Sequence, residues 1–185
     1  MKITKAIIAV AGYGTRFLPA TKVQPKELLP IVDKPVVQYL VEEAVASGIT
    51  DIILVTRSRN QALEDHFDSS PELEMHLEMQ GKLEELEKIR RIPQLANFIY
   101  VRQTSDMPYG NGTPLLCAKS LVARDEAVVY MFGDDVVKSK VPCAKQLIDV
   151  YQKYEPAAVI AVQEVPREEV SRYGVPKLKE GGDHN

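Results

Sequence analysis

The sequence predicts an α/β fold with three layers (α/β/α) around a mainly parallel, Rossmann-like sheet, and three observations lead to this prediction. Short apolar segments rich in Val and Ile alternate along the chain with longer segments of helical periodicity. The short segments are apolar on both faces, as expected of strands covered by helices on each side. Turns that contain glycine follow several of these segments. Strand–helix alternation of this kind produces parallel strands, with ligands bound beyond their carboxyl ends.

Five strands are predicted from the apolar segments. They are Lys5–Val10, Asp51–Thr56, Phe98–Arg102, Ala127–Phe132 and Ala157–Val165.

Five helices are predicted between them: Val36–Ser47, Gln61–Phe67, Glu72–Ile89, Pro114–Val122 and Cys143–Tyr154. Gly48 is placed to end the first helix, because glycine follows helix ends at little conformational cost. Thr113 before Pro114 predicts a helix start with threonine as the N-cap and proline at the first helical position.

Length and composition predict one globular domain over residues 1–185. Hydrophobic residues make up 45% of the chain and charged residues 26%. The net charge of −3 excludes a nucleic-acid binder that relies on a basic surface. Cys117 and Cys143 lack metal-ligand spacing and are expected to be buried, reduced thiols in a cytoplasmic protein. The amino terminus has only a short apolar segment, so neither a signal peptide nor a membrane span is expected.

The segment from Ala9 to Pro35, AVAGYGTRFLPATKVQPKELLPIVDKP, is the most informative part of the chain. Gly12 and Gly14 follow the first strand, where glycine allows the backbone N–H groups to approach an anion. Arg16 and Lys26 supply cations that could neutralise a polyphosphate. A surface turn beside two solvated cations is the alternative interpretation, and the ordered run of glycines, cations and prolines favours the phosphate site.

Two common phosphate-binding motifs are excluded by the same segment. A dinucleotide-binding turn requires a third glycine, and Phe17 occupies that position. A Walker-type loop requires Gly-Lys followed by Ser or Thr, and the chain has no such sequence.

Polar residues also follow the later strands, at the edge where ligands of parallel sheets bind. Gln103 precedes a loop that contains Gly110, and its amide suits the imide edge of uracil or thymine. A surface glutamine at a strand end is the alternative. Asp134 is the best candidate for a Mg²⁺ ligand, because Mg²⁺ is bound through one or two carboxylates and substrate phosphates. Asp135 is either a helix N-cap or solvated neighbour, or a residue of a sugar site.

The motifs AGYGTRFLPATK and PKELLPIVDKPVVQYLVEEA resemble the signature of sugar-1-phosphate nucleotidylyltransferases. They look most like the bacterial UTP–glucose-1-phosphate uridylyltransferases, because the related thymidylyltransferases have Ser-Lys-Gln where this chain has Pro25, Lys26 and Glu27. The resemblance runs from Lys5 to about Val175. It implies a sheet of the nucleotide-diphospho-sugar transferase type, with UTP and glucose-1-phosphate as substrates and UDP-glucose and pyrophosphate as products.

The resemblance also implies roles for individual residues. Arg16 and Lys26 would neutralise the phosphates during catalysis, and Asp134 would bind the Mg²⁺ cofactor. Three residues would belong to the sugar site: Asp135, Tyr173 and Gly174. Seven residues would bind the nucleotide: Ala11, Gly12, Gly14, Thr15, Glu27, Gln103 and Gly110.

Two departures from the family pattern limit what the resemblance implies. The uridylyltransferases usually read Gly-Leu-Gly-His-Ala where residues 110–114 read Gly-Asn-Gly-Thr-Pro, so any role of that histidine is lost. Family members are also longer. A lysine for the sugar phosphate, a further metal-binding aspartate and oligomerisation helices have no counterpart, so the C-terminal sugar-binding and oligomerisation part is expected to be absent. The sheet surface left uncovered would then favour self-association into a homo-oligomer.

Two alternative functions remain open at this point. One is a non-catalytic UTP-binding or regulatory homologue. The other is a transferase that uses dTTP or another sugar phosphate.

Overall fold

The structure is a computed structural model that describes residues 2–57, 60–108, 110–155 and 157–177. The strands are β1 (Lys5–Val10), β2 (Pro30–Ile31), β3 (Lys34–Pro35), β4 (Asp51–Thr56), β5 (Asn97–Arg102) and β6 (Val129–Phe132). The helices are α1 (Val36–Ala46), α2 (Gln61–Phe67), α3 (Pro71–Met79), α4 (Leu83–Arg91), α5 (Thr113–Ala118) and α6 (Cys143–Tyr154).

The main sheet has four parallel strands in the order β5-β4-β1-β6. In β1, Ile7 lies opposite Ile53 of β4 on one side and opposite Tyr130 of β6 on the other. The chain therefore builds the sheet outward from β1 through β4 to β5, and then returns to add β6 on the other side of β1. This confirms the predicted parallel sheet, with a reversal of strand order between β1 and β6.

Helices cover the sheet on both faces, as a three-layer fold requires. On one face, alternate residues of β1 and β4 pack with buried residues of α1, α2 and α6. On the other face, Ile7, Ile53 and Val55 pack against Ala118 of α5 and the short 3-10 turn that follows it. Since consecutive strand residues point to opposite faces, continuous apolar strands serve both cores.

Three predicted helix boundaries are wrong in detail. The charged helix predicted over residues 72–89 is two helices, because Gly81 takes a left-handed φ of +68° and ends α3. The helix predicted over residues 114–122 ends at Ala118 and continues as a 3-10 turn. Thr113 is the first residue of α5 rather than its cap, and its hydroxyl donates to the carbonyl of Pro108 at 2.5 Å. The predicted end of α1 is close, and Gly48 beyond it has a φ of +94°.

The fifth predicted strand, residues 157–165, does not form in the described part of the chain. A strand must exchange backbone hydrogen bonds with a neighbour, and the described sheet ends at β6. Ile160 and Val162 are 74% and 72% exposed, so the described residues form no packed layer over this segment. An apolar pattern alone does not show whether a partner strand is present.

Cys117 and Cys143 are free and only half-buried, so the prediction of buried thiols is wrong in degree. Over the residues that the structure describes, no helix has the length and apolar character needed to span a lipid bilayer.

Candidate functional site

The carboxyl ends of the four parallel strands lie along one edge of the sheet. In the register of the strands, Arg102 of β5 is opposite Thr56 of β4, and Thr56 is opposite Val10 of β1. Ala9 of β1 is in turn opposite Phe132 of β6. We call the residues that follow these strand ends (11–27, 57, 103 and 133–135) the carboxyl edge. Its centre is the junction of β1 and β6, where strand order reverses and parallel sheets bind ligands.

The loop after β1 has the close-packed backbone expected of its glycines. Gly14 has a φ of +60°, and a Cβ there would lie 3.0 Å from Thr21 Cγ2. The Gly14 carbonyl accepts hydrogen bonds from the Thr21 hydroxyl at 2.7 Å and from the Phe17 N–H at 2.9 Å. Only glycine takes this conformation without strain, so the loop has one defined shape. Ala11 begins it directly after β1, and Thr15 starts a 3-10 turn within it.

Lys26 and Asp134 meet across the junction of β1 and β6. The Lys26 Nζ lies 2.7 Å from Asp134 Oδ2, and the two side chains are 16% and 32% exposed. A Cβ on Gly12 would lie 3.0 Å from Lys26 Cε, so the absence of a side chain at Gly12 makes room for the lysine. The structure thus joins two residues that lie more than a hundred positions apart in the sequence.

Gly133 allows the end of β6 to lie close against β1, directly before Asp134. It was not identified as a site residue from the sequence. A Cβ at Gly133 would lie 2.7 Å from the Ala9 carbonyl oxygen, 2.7 Å from Val10 Cγ1 and 2.9 Å from Glu27 Cγ. Its N–H donates to the Ala9 carbonyl at 2.9 Å, which extends the β1–β6 pairing by one residue. Because it directly follows a predicted strand and precedes Asp134, its position in the sequence was an available signal.

Glu27 lies buried beneath the loop, with 1% of its surface exposed. Burial raises the pKa of its carboxyl group, and the nearby Asp134 adds to the rise, whereas its own backbone N–H, Lys26 and Arg57 oppose it. Apart from that N–H, its two oxygens meet no hydrogen-bond donor among the described residues. Glu27 is therefore part of the floor of the site. It is one of the seven residues for which the sequence predicts nucleotide binding.

Asp134, predicted to bind Mg²⁺, and Asp135 lie next to each other just after β6 and Gly133. Burial raises the pKa of Asp135, the charge of Asp134 raises it further, and Lys26 and Arg16 lower it. Arg16 is thus near enough to act on this end of the carboxyl edge. Among the described residues, no three His, Cys, Asp or Glu side chains form a metal cage. One partly exposed carboxylate still fits Mg²⁺, which takes its remaining ligands from substrate phosphates and water.

Arg57 is a second residue of the carboxyl edge that sequence reasoning missed. It directly follows β4, and its guanidinium donates to the Gly12 carbonyl at 2.7 Å. The same group lies 3.8 Å from the centre of the Tyr13 ring, as in a cation–π contact. Arg57 therefore ties the glycine loop to the end of β4 and adds positive charge. Its place after a predicted strand was the signal that could have identified it.

Gln103 lies at the other end of the carboxyl edge, directly beyond β5, and Gly110 lies in the loop that follows it. The Gln103 N–H donates to the Thr56 carbonyl at 2.7 Å, which fixes its backbone to the end of β4. The Gln103 side chain is half-buried, whereas Gly110 is exposed, and a Cβ on Gly110 would meet no atom of the described residues within 4 Å. The Gly110 carbonyl accepts from the Thr113 N–H at 3.1 Å, so Gly110 begins a turn that leads into α5.

Tyr173 and Gly174, predicted for the sugar site, are not joined to this edge by the structure. Tyr173 is 55% exposed, and its N–H donates to the nearby Val170 carbonyl. Among the residues that the structure describes, a Cβ on Gly174 would meet no atom within 4 Å. In the described residues, no hydrogen bond or ion pair connects either residue to Lys26 or Asp134.

Comparison with known protein families gives one assignment that covers nearly the whole chain. The family model described as nucleotidyl transferase matches residues 5–184. The chain is 51% identical over 182 residues to a UTP–glucose-1-phosphate uridylyltransferase of Bacillus subtilis, covering 97% of this chain and 61% of the relative. It is 52% identical over 182 residues to one of Staphylococcus epidermidis, covering 97% of this chain and 62% of the relative. The chain therefore spans about three fifths of the length of these relatives.

Solved structures also match the chain over most of its length. A UDP-glucose pyrophosphorylase from Acinetobacter baumannii matches with a TM-score of 0.87 and 39% identity, over 98% of this chain and 64% of that one. A UTP-bound UGPase from the same organism matches with a TM-score of 0.77 and 40% identity, over 83% of this chain and 54% of that one. A UDP-glucose pyrophosphorylase complexed with UDP-glucose matches with a TM-score of 0.78 and 39% identity, over 97% and 66% of the two chains.

Proposed function

The chain belongs to the nucleotidyl transferase family, and from that premise we propose that its carboxyl edge binds UTP and transfers the uridylyl group to glucose-1-phosphate. The observation that carries the proposal is the Lys26–Asp134 pair at the junction of β1 and β6, directly beside the glycine loop. A cation and a carboxylate at the reversal of a parallel sheet are suited to binding a polyphosphate and its divalent cation. The names of the relatives support UTP and UDP-glucose as the ligands.

The reaction is a displacement at the α-phosphorus of UTP. A phosphate oxygen of glucose-1-phosphate forms the new P–O bond, the bond to the β-phosphate breaks, and pyrophosphate leaves with that electron pair. No covalent enzyme intermediate is needed. The protein's contribution is to align the two phosphates and to neutralise charge as it develops on the leaving group.

The residues of the carboxyl edge divide this work. The Gly12–Gly14 loop brings backbone N–H groups to the triphosphate, and Arg57 keeps that loop against β4. Lys26 exchanges part of its contact with Asp134 for a phosphate oxygen, and Arg16 adds a second cation. Asp134 would hold Mg²⁺, which, when bound, neutralises phosphate charge. Gln103 and the turn at Gly110 would contact the uracil base, with Asp135 directed at the sugar side.

A second candidate is a protein that binds UTP without turning it over. The exposure of Tyr173 and the open surroundings of Gly174 favour it, because neither residue is held where a sugar phosphate would meet the α-phosphorus. Both candidates require the same nucleotide site. They differ only in whether the second substrate is bound and aligned.

One set of measurements tests both candidates. UTP binding in the presence of Mg²⁺ is measured by calorimetry, and pyrophosphate release is measured with UTP plus glucose-1-phosphate. The same assays are run on Asp134→Asn and on Asp149→Asn. Asp149 is a matched control, because it also forms an ion pair with a lysine, Lys145, but on the exposed surface of α6.

We expect the wild-type chain to bind UTP, with weaker binding in Asp134→Asn and unchanged binding in Asp149→Asn. Pyrophosphate release should be lost in Asp134→Asn. UTP binding without pyrophosphate release above the Asp134→Asn background would reject the transferase and leave the second candidate. Failure of the wild-type chain to bind UTP would reject both.

A further inference from the structure

Tyr130 of β6 contacts the turn that leads from Gly110 into α5. Its hydroxyl donates to the carbonyl of Asn111 at 2.6 Å. The two residues are 19 positions apart, so the bond joins the turn to the sheet rather than to its own neighbours. We propose that Tyr130 is a positioning residue for base recognition, which holds this turn in the shape that contacts uracil. The inference rests on the proposed function and extends it to a residue that would not itself touch the nucleotide.

The position of the Tyr130 hydroxyl is fixed by packing. The ring lies against the buried cluster formed by Ile7, Ile53, Val55 and Ala118. It also makes an edge-to-face contact with Phe132, with ring centres 5.2 Å apart. Burial raises the pKa of Tyr130, so the phenol remains a protonated donor at neutral and moderately alkaline pH. A rigid ring therefore presents one donor at a constant place.

The turn itself is held at three carbonyl groups. The Tyr130 hydroxyl donates a hydrogen bond to the Asn111 carbonyl, and the Thr113 N–H donates to the Gly110 carbonyl at 3.1 Å. The Thr113 hydroxyl donates to the Pro108 carbonyl. Thr113 is buried, so its hydroxyl bond is shielded from water. Because a peptide unit is planar, a carbonyl held on one side fixes the direction of the following N–H on the other. The Tyr130 side chain thereby sets the direction of the Gly112 N–H, and the backbone N–H of Thr113 sets that of the Asn111 N–H.

This arrangement has a consequence for specificity. A backbone N–H cannot exchange donor for acceptor, whereas the amide of Gln103 can rotate to suit uracil or cytosine. Discrimination between the two bases then rests on the turn as well as on Gln103, and it depends on how firmly the turn is held. Loss of the Tyr130 hydroxyl would let the turn adjust and would weaken contacts to the base, while contacts to the triphosphate, at the Gly12–Gly14 loop, would be unchanged.

The test compares Tyr130→Phe with the wild type, using UTP and inorganic tripolyphosphate as calorimetric ligands in Mg²⁺. Tripolyphosphate has the phosphates without the base. We expect Tyr130→Phe to weaken UTP binding by about three- to tenfold, the effect of one lost hydrogen bond, and to leave tripolyphosphate binding unchanged. Thr113→Val removes the second side-chain contact to the turn and should show the same pattern. Tyr100→Phe is the control, since its hydroxyl bonds to the Glu64 carbonyl far from the turn.

Amide hydrogen exchange at Thr113, whose N–H bonds to the Gly110 carbonyl within the turn, provides a second measurement that needs no nucleotide. Exchange should be faster in Tyr130→Phe than in the wild type or in Tyr100→Phe. Unchanged UTP affinity in Tyr130→Phe, or equal weakening of UTP and tripolyphosphate, would overturn the inference. Unchanged exchange would overturn it as well. A wild-type chain that binds tripolyphosphate but not UTP would instead reject the proposed function.

Discussion

Two regions of the molecule, the carboxyl edge and a tail segment (residues 157–177), contain residues that sequence motifs assign to one function. The two regions differ in how those residues are held. At the carboxyl edge, Lys26 is joined to Asp134, and Gly133 has no room for a side chain. In the tail segment, no described atom would contact a side chain at Gly174, and Ile160 is largely exposed. A motif thus identifies residue types, while only packing and hydrogen bonds fix where they lie.

The largest expected difference between the two regions concerns charge. Lys26→Ala should weaken UTP binding by roughly 10- to 100-fold, because it removes a charge-assisted bond to phosphate worth about 1.5–3 kcal/mol. Arg16→Ala should act in the same direction. Lys177→Ala, in the exposed tail segment, should have no effect on calorimetric affinity. Equal affinities for all these variants and the wild type would remove the distinction between the regions.

The next largest difference concerns how closely atoms pack around a glycine in each region. Gly133→Ala places a methyl group 2.7 Å from the Ala9 carbonyl and should destabilise the fold by about 1–3 kcal/mol, as expected of overpacking. A methyl group at Gly174 meets no described atom within 4 Å, so Gly174→Ala should leave the free energy of unfolding unchanged. Urea denaturation of both variants makes the comparison. Equal stability of the two would show that Gly133 is not tightly enclosed.

The next prediction concerns base selection, which we assign to Gln103 at one end of the carboxyl edge. Gln103→Ala should reduce the preference for UTP over CTP by about three- to tenfold, because one hydrogen bond to the base is lost. Competition calorimetry with the two nucleotides measures this preference. If the variant kept the wild-type preference, Gln103 would have no part in reading the base.

The smallest expected effect concerns apolar burial. Ile52→Val, in β4, should cost about 0.5–1.5 kcal/mol of stability because it removes a methylene group from a fully buried side chain. The same change at Ile160 should shift the free energy of unfolding by less than about 0.5 kcal/mol, as expected of an exposed position. A cost at Ile160 equal to that at Ile52 would mean that the tail segment is packed in solution.

The strands of the sheet could be predicted from the sequence because their apolar segments are short and bounded by turns. β1 and β4 have the predicted limits, and β5 begins one residue earlier than predicted. Strand order then brought Lys26 and Asp134 to one edge, as the rule for parallel sheets implies. The strand predicted over residues 157–165 is wrong, because an apolar segment does not reveal whether a neighbouring strand is available to pair with it.

Two residues of the site required the structure. Gly133 is essential only because Val10 and Glu27 approach it, and that distance is set by the packing of β1 against β6. Arg57 has no motif of its own, and its role follows from a bond to a carbonyl 45 positions earlier. The split of the charged helix at Gly81 also depended on its positive φ, which the surrounding helical periodicity concealed.

The order of strands in the sheet has a consequence for biosynthesis. β1 pairs with β6, whose residues are translated more than a hundred positions later. At a translation rate of roughly 5–20 residues per second, one hydrogen-bonding edge of β1 stays unpaired for on the order of ten seconds. An apolar strand with an open edge is a template for aggregation during that interval. Chaperones that bind nascent chains should therefore raise the yield of folded protein, because they cover β1 until its last neighbour has been made.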